Sequence, residues 1–390
     1  MKRSYNYSIL ATALALSFFG LAMIASVSVY ESFNTFQQND FYFWRRMGHM
    51  IIALSAMGAC MIIPYRFWEK ISLVVMTVSV GMLLFVFSSF GNDYGTATSW
   101  IDIPFLPSIQ PVEIAKFGLI IYLAHWMAEN KPDIKHFHYG FTPFVIILSL
   151  VLIPLALQPD FGSLIVILLT AVAVFLVAGG SIFQVTAGGI LAGLLGMIIA
   201  LNVDYIYNRF VTFFNPEADA LGIGYQVKNA LTAIGSGGFF GLGFGQSIQK
   251  NGYLPEVQGD TIFAAVGEEM GFIRTAIILI LFATFAWKSY DMARKTKDWF
   301  GKLIVIGFAT SITVQAVINI AVNMALFPNT GITLPFISYG GSSLMMTMAS
   351  VGIILNVSRN GSSQHHYNQK QRSRTIKRGA RKRQSNYVYR

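Results

Sequence analysis

The ionisable residues best placed for chemistry in this chain lie in or near apolar runs, and most gather around one stretch. Gly235–Gly271 reads GSGGFFGLGFGQSIQKNGYLPEVQGDTIFAAVGEEMG. It carries six glycines in the eleven residues from Gly235 to Gly245, a Leu254-Pro255-Glu256 turn, a lone acid at Asp260 and the pair Glu268-Glu269. Asp260 follows a glycine and precedes an apolar helical run, so it could cap that helix. A carboxylate partly desolvated at the mouth of a helical bundle would instead have its pKa raised. It could then take a proton from a hydroxyl group. Glu113 and Lys116 stand three apart at the start of another apolar run and share a helix face. They can pair with each other, or Lys116 can meet an anionic group while Glu113 orients it. Asp160 lies in a very short turn, where N-capping is the plain alternative to chemistry. Ionisable residues inside membrane spans are functional candidates by default. Glu268 and Glu269 could line a polar path, and Arg274 could pair with either. No histidine stands with these acids, so none is assigned to catalysis or metal binding.

The elements that must hold these residues follow from composition. The chain has 390 residues, 54% hydrophobic and 12% charged, where a soluble domain carries about 25% charged residues. That deficit, with repeated apolar runs of about 20 residues, implies an all-α polytopic membrane protein. Spans are expected at about 9–30, 47–64, 71–90, 112–128, 142–157, 161–179, 182–203, 262–286, 302–326 and 338–357. Residues 1–360 are read as one ten-helix membrane domain with a large outer loop at 204–261. Residues 361–390 are read as a basic tail, expected to be disordered. The one cysteine, Cys60, excludes an internal disulfide and a multi-thiolate metal site. No GxxxxGK[ST] nucleotide loop is present.

The net charge of +10 would suggest nucleic acid in a soluble protein. Here it reports topology. With ten spans both termini share a side. Twenty-one of the 28 Lys and Arg fall on that side, five on the other (Arg45, Arg46, Arg209, Lys228, Lys250), and Lys116 and Arg274 fall within spans. The positive-inside rule therefore puts both termini in the cytoplasm and the 204–261 loop outside. That loop is too long for a simple connector. Its glycines lack the GxGxxG order of a dinucleotide site. Gly237, Gly241 and Gly245 have the spacing of close helix packing, and equally could let backbone approach a ligand.

Longer motifs now bear on identity. NRFVTFFNPEADALGIGYQ, AIGSGGFFGLGFGQSIQKNGYLPE, GDTIFAAVGEEMGF, NIAVNMALFPNTGITLPFISYGGSSL, SWIDIPFLPSIQPVEIAKFGLIIYLA and LALQPDFGS occur in this chain. They resemble the SEDS family (shape, elongation, division and sporulation) from the first span to about Arg359, with wording nearer the division branch than the elongation branch. The resemblance implies a ten-helix peptidoglycan glycosyltransferase of the bacterial cytoplasmic membrane. Such an enzyme polymerises lipid II on the outer face and works with a class B penicillin-binding protein, a transpeptidase, and other division proteins. By motif position Asp260 matches the family's essential acid, and Glu113 and Lys116 match its E-x-x-K. Arg209, Trp100, Gln110 and Asp160 also occupy family motif positions. There are departures: Val112 within QPVE, Gln258-Gly259 before the acid, Thr98-Ser99 before Trp100, and Glu217 after the Asn-Pro motif.

On this resemblance Asp260 is expected to be the general base. Arg209, Lys250, Lys116 or a bound divalent cation (Mg or Mn) would stabilise the leaving diphosphate, with no organic cofactor. The expected partners are lipid II, the nascent glycan strand, the transpeptidase and membrane lipids, with no nucleic acid. Two rival readings stand beside it, a lipid II flippase and a non-catalytic divisome scaffold.

Overall fold

Without water in a bilayer core, a single apolar run must satisfy its own backbone, and a helix does so within one segment. The chain folds accordingly. The computed structural model describes residues 5–89, 91–94, 97–101, 108–219 and 222–360. In chain order the helices are α1 (Tyr7–Val27), α2 (Val29–Phe36), α3 (Phe41–Ile62), α4 (Tyr65–Lys70), α5 (Ser72–Phe85), α6 (Pro111–Glu129), α7 (Thr142–Leu157), α8 (Phe161–Ala178), α9 (Ile182–Asn202), α10 (Asp204–Phe214), α11 (Ile223–Gly237), α12 (Ile262–Lys295), α13 (Trp299–Asn323) and α14 (Gly341–Asn360). A short antiparallel hairpin, β1 (Gly91–Tyr94) and β2 (Ala97–Ile101), interrupts them. The chain is an all-α polytopic membrane protein.

A helix stands at each of the ten expected spans, but six helical segments among the described residues are long and apolar enough to cross a membrane by length and composition. The helices α3, α5, α6 and α9 fall outside that set. The tail expected at 361–390 lies outside the described residues.

Three expectations change. The first span stops at Val27, and Val29–Phe36 forms the separate α2. The 204–261 segment is not an open loop, because α10, a 3-10 turn at Pro216–Asp219 and α11 take up most of residues 204–237. The run at 262 extends to Lys295 and is broken at Gly271, whose φ of 68° and ψ of −179° are not helical.

The break has a cause in the glycine-rich stretch. Gly241, at φ 79°, lies so close that a Cβ on Gly271 would stand 2.1 Å from its amide nitrogen. The amides of Leu242 and Gly243 donate to the carbonyls of Glu268 and Glu269, and those of Phe272 and Ile273 donate to the carbonyls of Gly238 and Phe239. The stretch thus clips over the end of the half-helix Ile262–Met270. A Cβ on Gly237 would stand 2.1 Å from the Gly267 carbonyl oxygen. For Gly237 and Gly241 the spacing serves close packing.

At the centre lies α13, buried along most of its length and packed on α6, α8, α12 and α14. It brings one polar line through the core: Gln315, Asn319 and Asn323, four residues apart and all buried.

Candidate active site

Asp260 is placed by its backbone. Its carbonyl oxygen accepts from Asn319 Nδ2 and Asn323 Nδ2, both at 2.8 Å. Ser338 Oγ donates to the Gly259 carbonyl at 2.6 Å, and the Tyr339 amide donates to the Gln258 carbonyl at 2.7 Å. Gln258 Nε2 in turn donates to Glu31 of α2 at 2.6 Å. The segment around Ser338 is held from beneath by Arg46, 1% exposed, whose Nη2 donates to the carbonyl of Phe336 at 2.8 Å. Phe336 sits at φ 68°, a conformation that survives where surroundings impose it.

The Asp260 side chain caps nothing. The N-cap of α12 is Thr261, without a side-chain capping bond, and the Ala264 amide donates to Asn323 Oδ1 at 3.3 Å. A side-chain amide from α13 therefore does the capping that Asp260 could have done. Asp260 Oδ2 accepts from Gln226 Nε2 of α11 at 3.3 Å. Asp260 Oδ1 is buried and has no hydrogen-bond partner among the described residues. Burial pushes this carboxyl up to about 7, with the nearby Glu256 carboxylate adding to the effect. The Gln226 hydrogen bond and the Arg209 charge pull the other way.

Behind Gln226 the bonding continues. Its Oε1 accepts from Asn329 Nδ2 at 2.9 Å, Asn329 Oδ1 accepts from the Gly331 amide at 3.1 Å, and the Asn329 carbonyl accepts from Arg209 Nη1 of α10 at 2.7 Å. Arg209 thus lies in the Asp260 neighbourhood.

The other expected site residues fall into separate groups. Lys116 Nζ donates to Glu113 Oε1 at 2.8 Å and to Gln315 Oε1 at 2.7 Å, all three buried. Gln315 Nε2 reaches the Thr333 carbonyl at 3.0 Å, which ties this ion pair to the same 329–339 segment. A cavity of about 20 Å³ adjoins it, lined in part by Glu113, Lys116, Gln315 and Ser350, room for about one water. Lys250 is buried against Glu269, Nζ to Oε1 at 2.9 Å, and both contact Ser26 Oγ. Glu269 Oε2 also accepts from the Gly245 amide at 3.0 Å. Glu268 accepts from Ser247 Oγ and from the Ile248 amide. These three charges hold the glycine-rich stretch in place. Lys250 is therefore engaged internally and not presented to a diphosphate, and Glu268 and Glu269 are buried in the same bonds. Arg274 is exposed and in no ion pair among the described residues. Asp160 caps α8, accepting from the Ser163 amide at 3.0 Å. Gln110 is the N-cap position of α6, its amide donating to Ser342 Oγ. Trp100 lies half-buried on β2.

Gln226, Asn319, Asn323 and Asn329 escaped reading from sequence. One signal was available: three amides at every fourth position of an apolar run mark one polar helix face. As for a resident cation, no group of three or more His, Cys, Asp or Glu is gathered among the described residues. The described residues therefore hold no cluster that would bind a cation by itself.

Comparison with known proteins agrees with this architecture. Residues 6–363 match the FtsW/RodA/SpoVE family, described as cell cycle protein. The probable peptidoglycan glycosyltransferase FtsW of Geobacter sulfurreducens is 34% identical over 356 residues, 91% of this chain and 95% of the relative. FtsW of Bacillus subtilis, similarly described, is 38% identical over 370 residues, 92% and 91% of the two chains. Stage V sporulation protein E of Bacillus subtilis is 36% identical over 361 residues, 92% and 98%. In fold, the chain is similar to one from a structure described as the structural coordination of polymerization and crosslinking by a peptidoglycan synthase complex. That match has a TM-score of 0.78 at 23% identity, covering 92% of this chain and 99% of that one. The rod shape determining protein RodA of Thermus thermophilus superposes with a TM-score of 0.68 at 24% identity, covering 91% and 97%. A match over residues 6–363, with relatives above 30% identity along nearly the full length, means that the chain belongs to the FtsW/RodA/SpoVE family.

Proposed function

We propose that this protein is a peptidoglycan glycosyltransferase of the bacterial cytoplasmic membrane that polymerises lipid II, and that it serves cell division. The observation that carries the reading is Asp260 Oδ1, a buried carboxylate oxygen left without a partner in a well-supported turn. In the reaction the acceptor's sugar hydroxyl attacks the donor's anomeric carbon. A new C–O bond forms there as the bond to the diphosphate breaks, and the diphosphate lipid leaves with the electron pair. The hydroxyl proton passes to Asp260. A base with a pKa near the working pH suits this transfer. Arg209, close enough to act on Asp260, is the side chain offered to the developing diphosphate charge. A divalent cation arriving with the diphosphate would need no resident ligand cluster.

Orientation follows from the Lys and Arg asymmetry, which supports cytoplasmic termini and an extracytoplasmic Asp260. A transpeptidase of the penicillin-binding class is the proposed partner. The similarity in fold to a chain from a peptidoglycan synthase complex supports it.

The test is Asp260→Asn, which keeps the size of the side chain and the backbone bonds to Asn319 and Asn323. Purified protein with its transpeptidase and lipid II in detergent should yield glycan chains for wild type. For Asp260→Asn the rate should fall by about 10²- to 10⁴-fold. Chains made by the variant at the wild-type rate would remove Asp260 as the base. Absence of chains from wild type, together with lipid II crossing vesicle bilayers, would favour the flippase.

A further inference from the structure

We infer that Gln226 is a positioning residue for Asp260, held in one amide orientation by Asn329, and that together they leave Oδ1 as the proton-accepting atom. The inference rests on the glycosyltransferase reading and names residues that it did not include.

The argument is one of donor direction. The Gly331 amide can only donate, so the atom of Asn329 it meets must be the oxygen Oδ1. The other atom of that side chain is then Nδ2, a donor, and it faces Gln226. Gln226 must therefore turn Oε1 toward Asn329 and Nε2 toward Asp260. A backbone N–H thus fixes the polarity of two side-chain amides in series. The last of them can only present a donor to Asp260 Oδ2. That donor favours the ionised carboxylate. It occupies Oδ2 and leaves Oδ1, buried and unpartnered, as the oxygen facing a hydroxyl.

The charged groups around Asp260 do not supply this orientation. Glu256, on the preceding turn, opposes ionisation, as burial does, and Arg209 of α10 favours it weakly. Glu31 of α2 reaches the region through Gln258 and acts on Glu256. From α13 and the 329–339 segment the bonds to residues 259–260 come from amides and a hydroxyl.

Two variants test the relay through the pH profile of polymerisation. Gln226→Met keeps the length and removes the donor. The acid limb of kcat/KM should move to higher pH by about one unit, with activity recovering on the alkaline side. Asn329→Asp still accepts from Gly331 but now offers oxygen to Gln226. The Gln226 amide must turn round and present Oε1 to Asp260, which then favours the protonated acid. Its limb should move further than that of Gln226→Met. In the double variant the introduced carboxylate still repels Asp260 but nothing can turn, so the limb should fall short of that of Asn329→Asp and keep, beyond the Gln226→Met shift, only what the added charge contributes. A uniform fall in rate at every pH for Gln226→Met would assign it a merely structural role and overturn the inference, as would an unchanged profile. A second readout separates this from failure of the enzyme reading. The infrared difference between each protein and its own Asp260→Asn partner follows the Asp260 carboxyl directly. A midpoint that rises in Gln226→Met, with wild type making no chains, would keep the relay and discard the glycosyltransferase. A midpoint that stays put would discard the relay.

Discussion

Burial that raises the Asp260 carboxyl also strains the folded state, and its effects on the proposed proton transfer and on stability have opposite dependence on pH. In its proposed role as base the group works when ionised, so polymerisation should rise with pH through a midpoint near the carboxyl value of about 7. Stability should move the other way. Between the ordinary carboxyl value, 3.8, and about 7 the native state keeps a proton that the unfolded chain has lost. Raising the pH through that window therefore destabilises the fold. Asp260→Asn cannot ionise and should be more stable than wild type at pH 8, by at most about 4 kcal/mol, read as a higher melting temperature. The two should converge near pH 4, and equal melting curves at pH 8 would mean that Asp260 is not desolvated. The acid itself was legible in the sequence because a lone carboxylate beside apolar residues stands out in charge and hydropathy. Its supports were not. Gln226, Asn319, Asn323 and Asn329 are neutral, and each meets the acid or its relay across 34 to 103 residues of chain.

Helix α12 shows the same contrast one level up. Its position was readable as an apolar run from 262, whereas its break was not. The break depends on Gly241, thirty residues earlier in the chain, lying against Gly271. Gly271→Ala would place a Cβ 2.1 Å from the Gly241 nitrogen at a φ of 68°. We expect it to destabilise by about 1–3 kcal/mol from backbone strain alone, read as a lowered melting temperature in detergent. Gly48→Ala in α3 meets nothing within 4 Å and should melt as wild type or slightly higher. Equal behaviour of the two variants would remove the account of the break. The pairing of Lys250 with Glu269 was equally hidden. Charge alone marked Lys250 as a candidate for phosphate, and only the fold shows that it is spent on the glycine-rich stretch.

For the whole molecule, hydropathy located the helices and the Lys and Arg distribution gave an orientation that can be checked directly. A cysteine at the exposed Asn251, in a Cys60→Ala background, should react with an impermeant thiol reagent applied to intact cells. One at Ser373 should react only after the membrane is opened. The reverse pattern would invert the protein and move Asp260 to the cytoplasm. The break at Gly271 has a wider meaning in this frame. Above it, the turn at Asp260 that leads into the half-helix is tied to Asn319 and Asn323 of α13. Below it, the second half begins tied to the glycine-rich stretch, the amides of Phe272 and Ile273 donating to Gly238 and Phe239. The position of Asp260 is thereby referred to the central helix α13, so that any shift of α13 would carry the carboxylate with it.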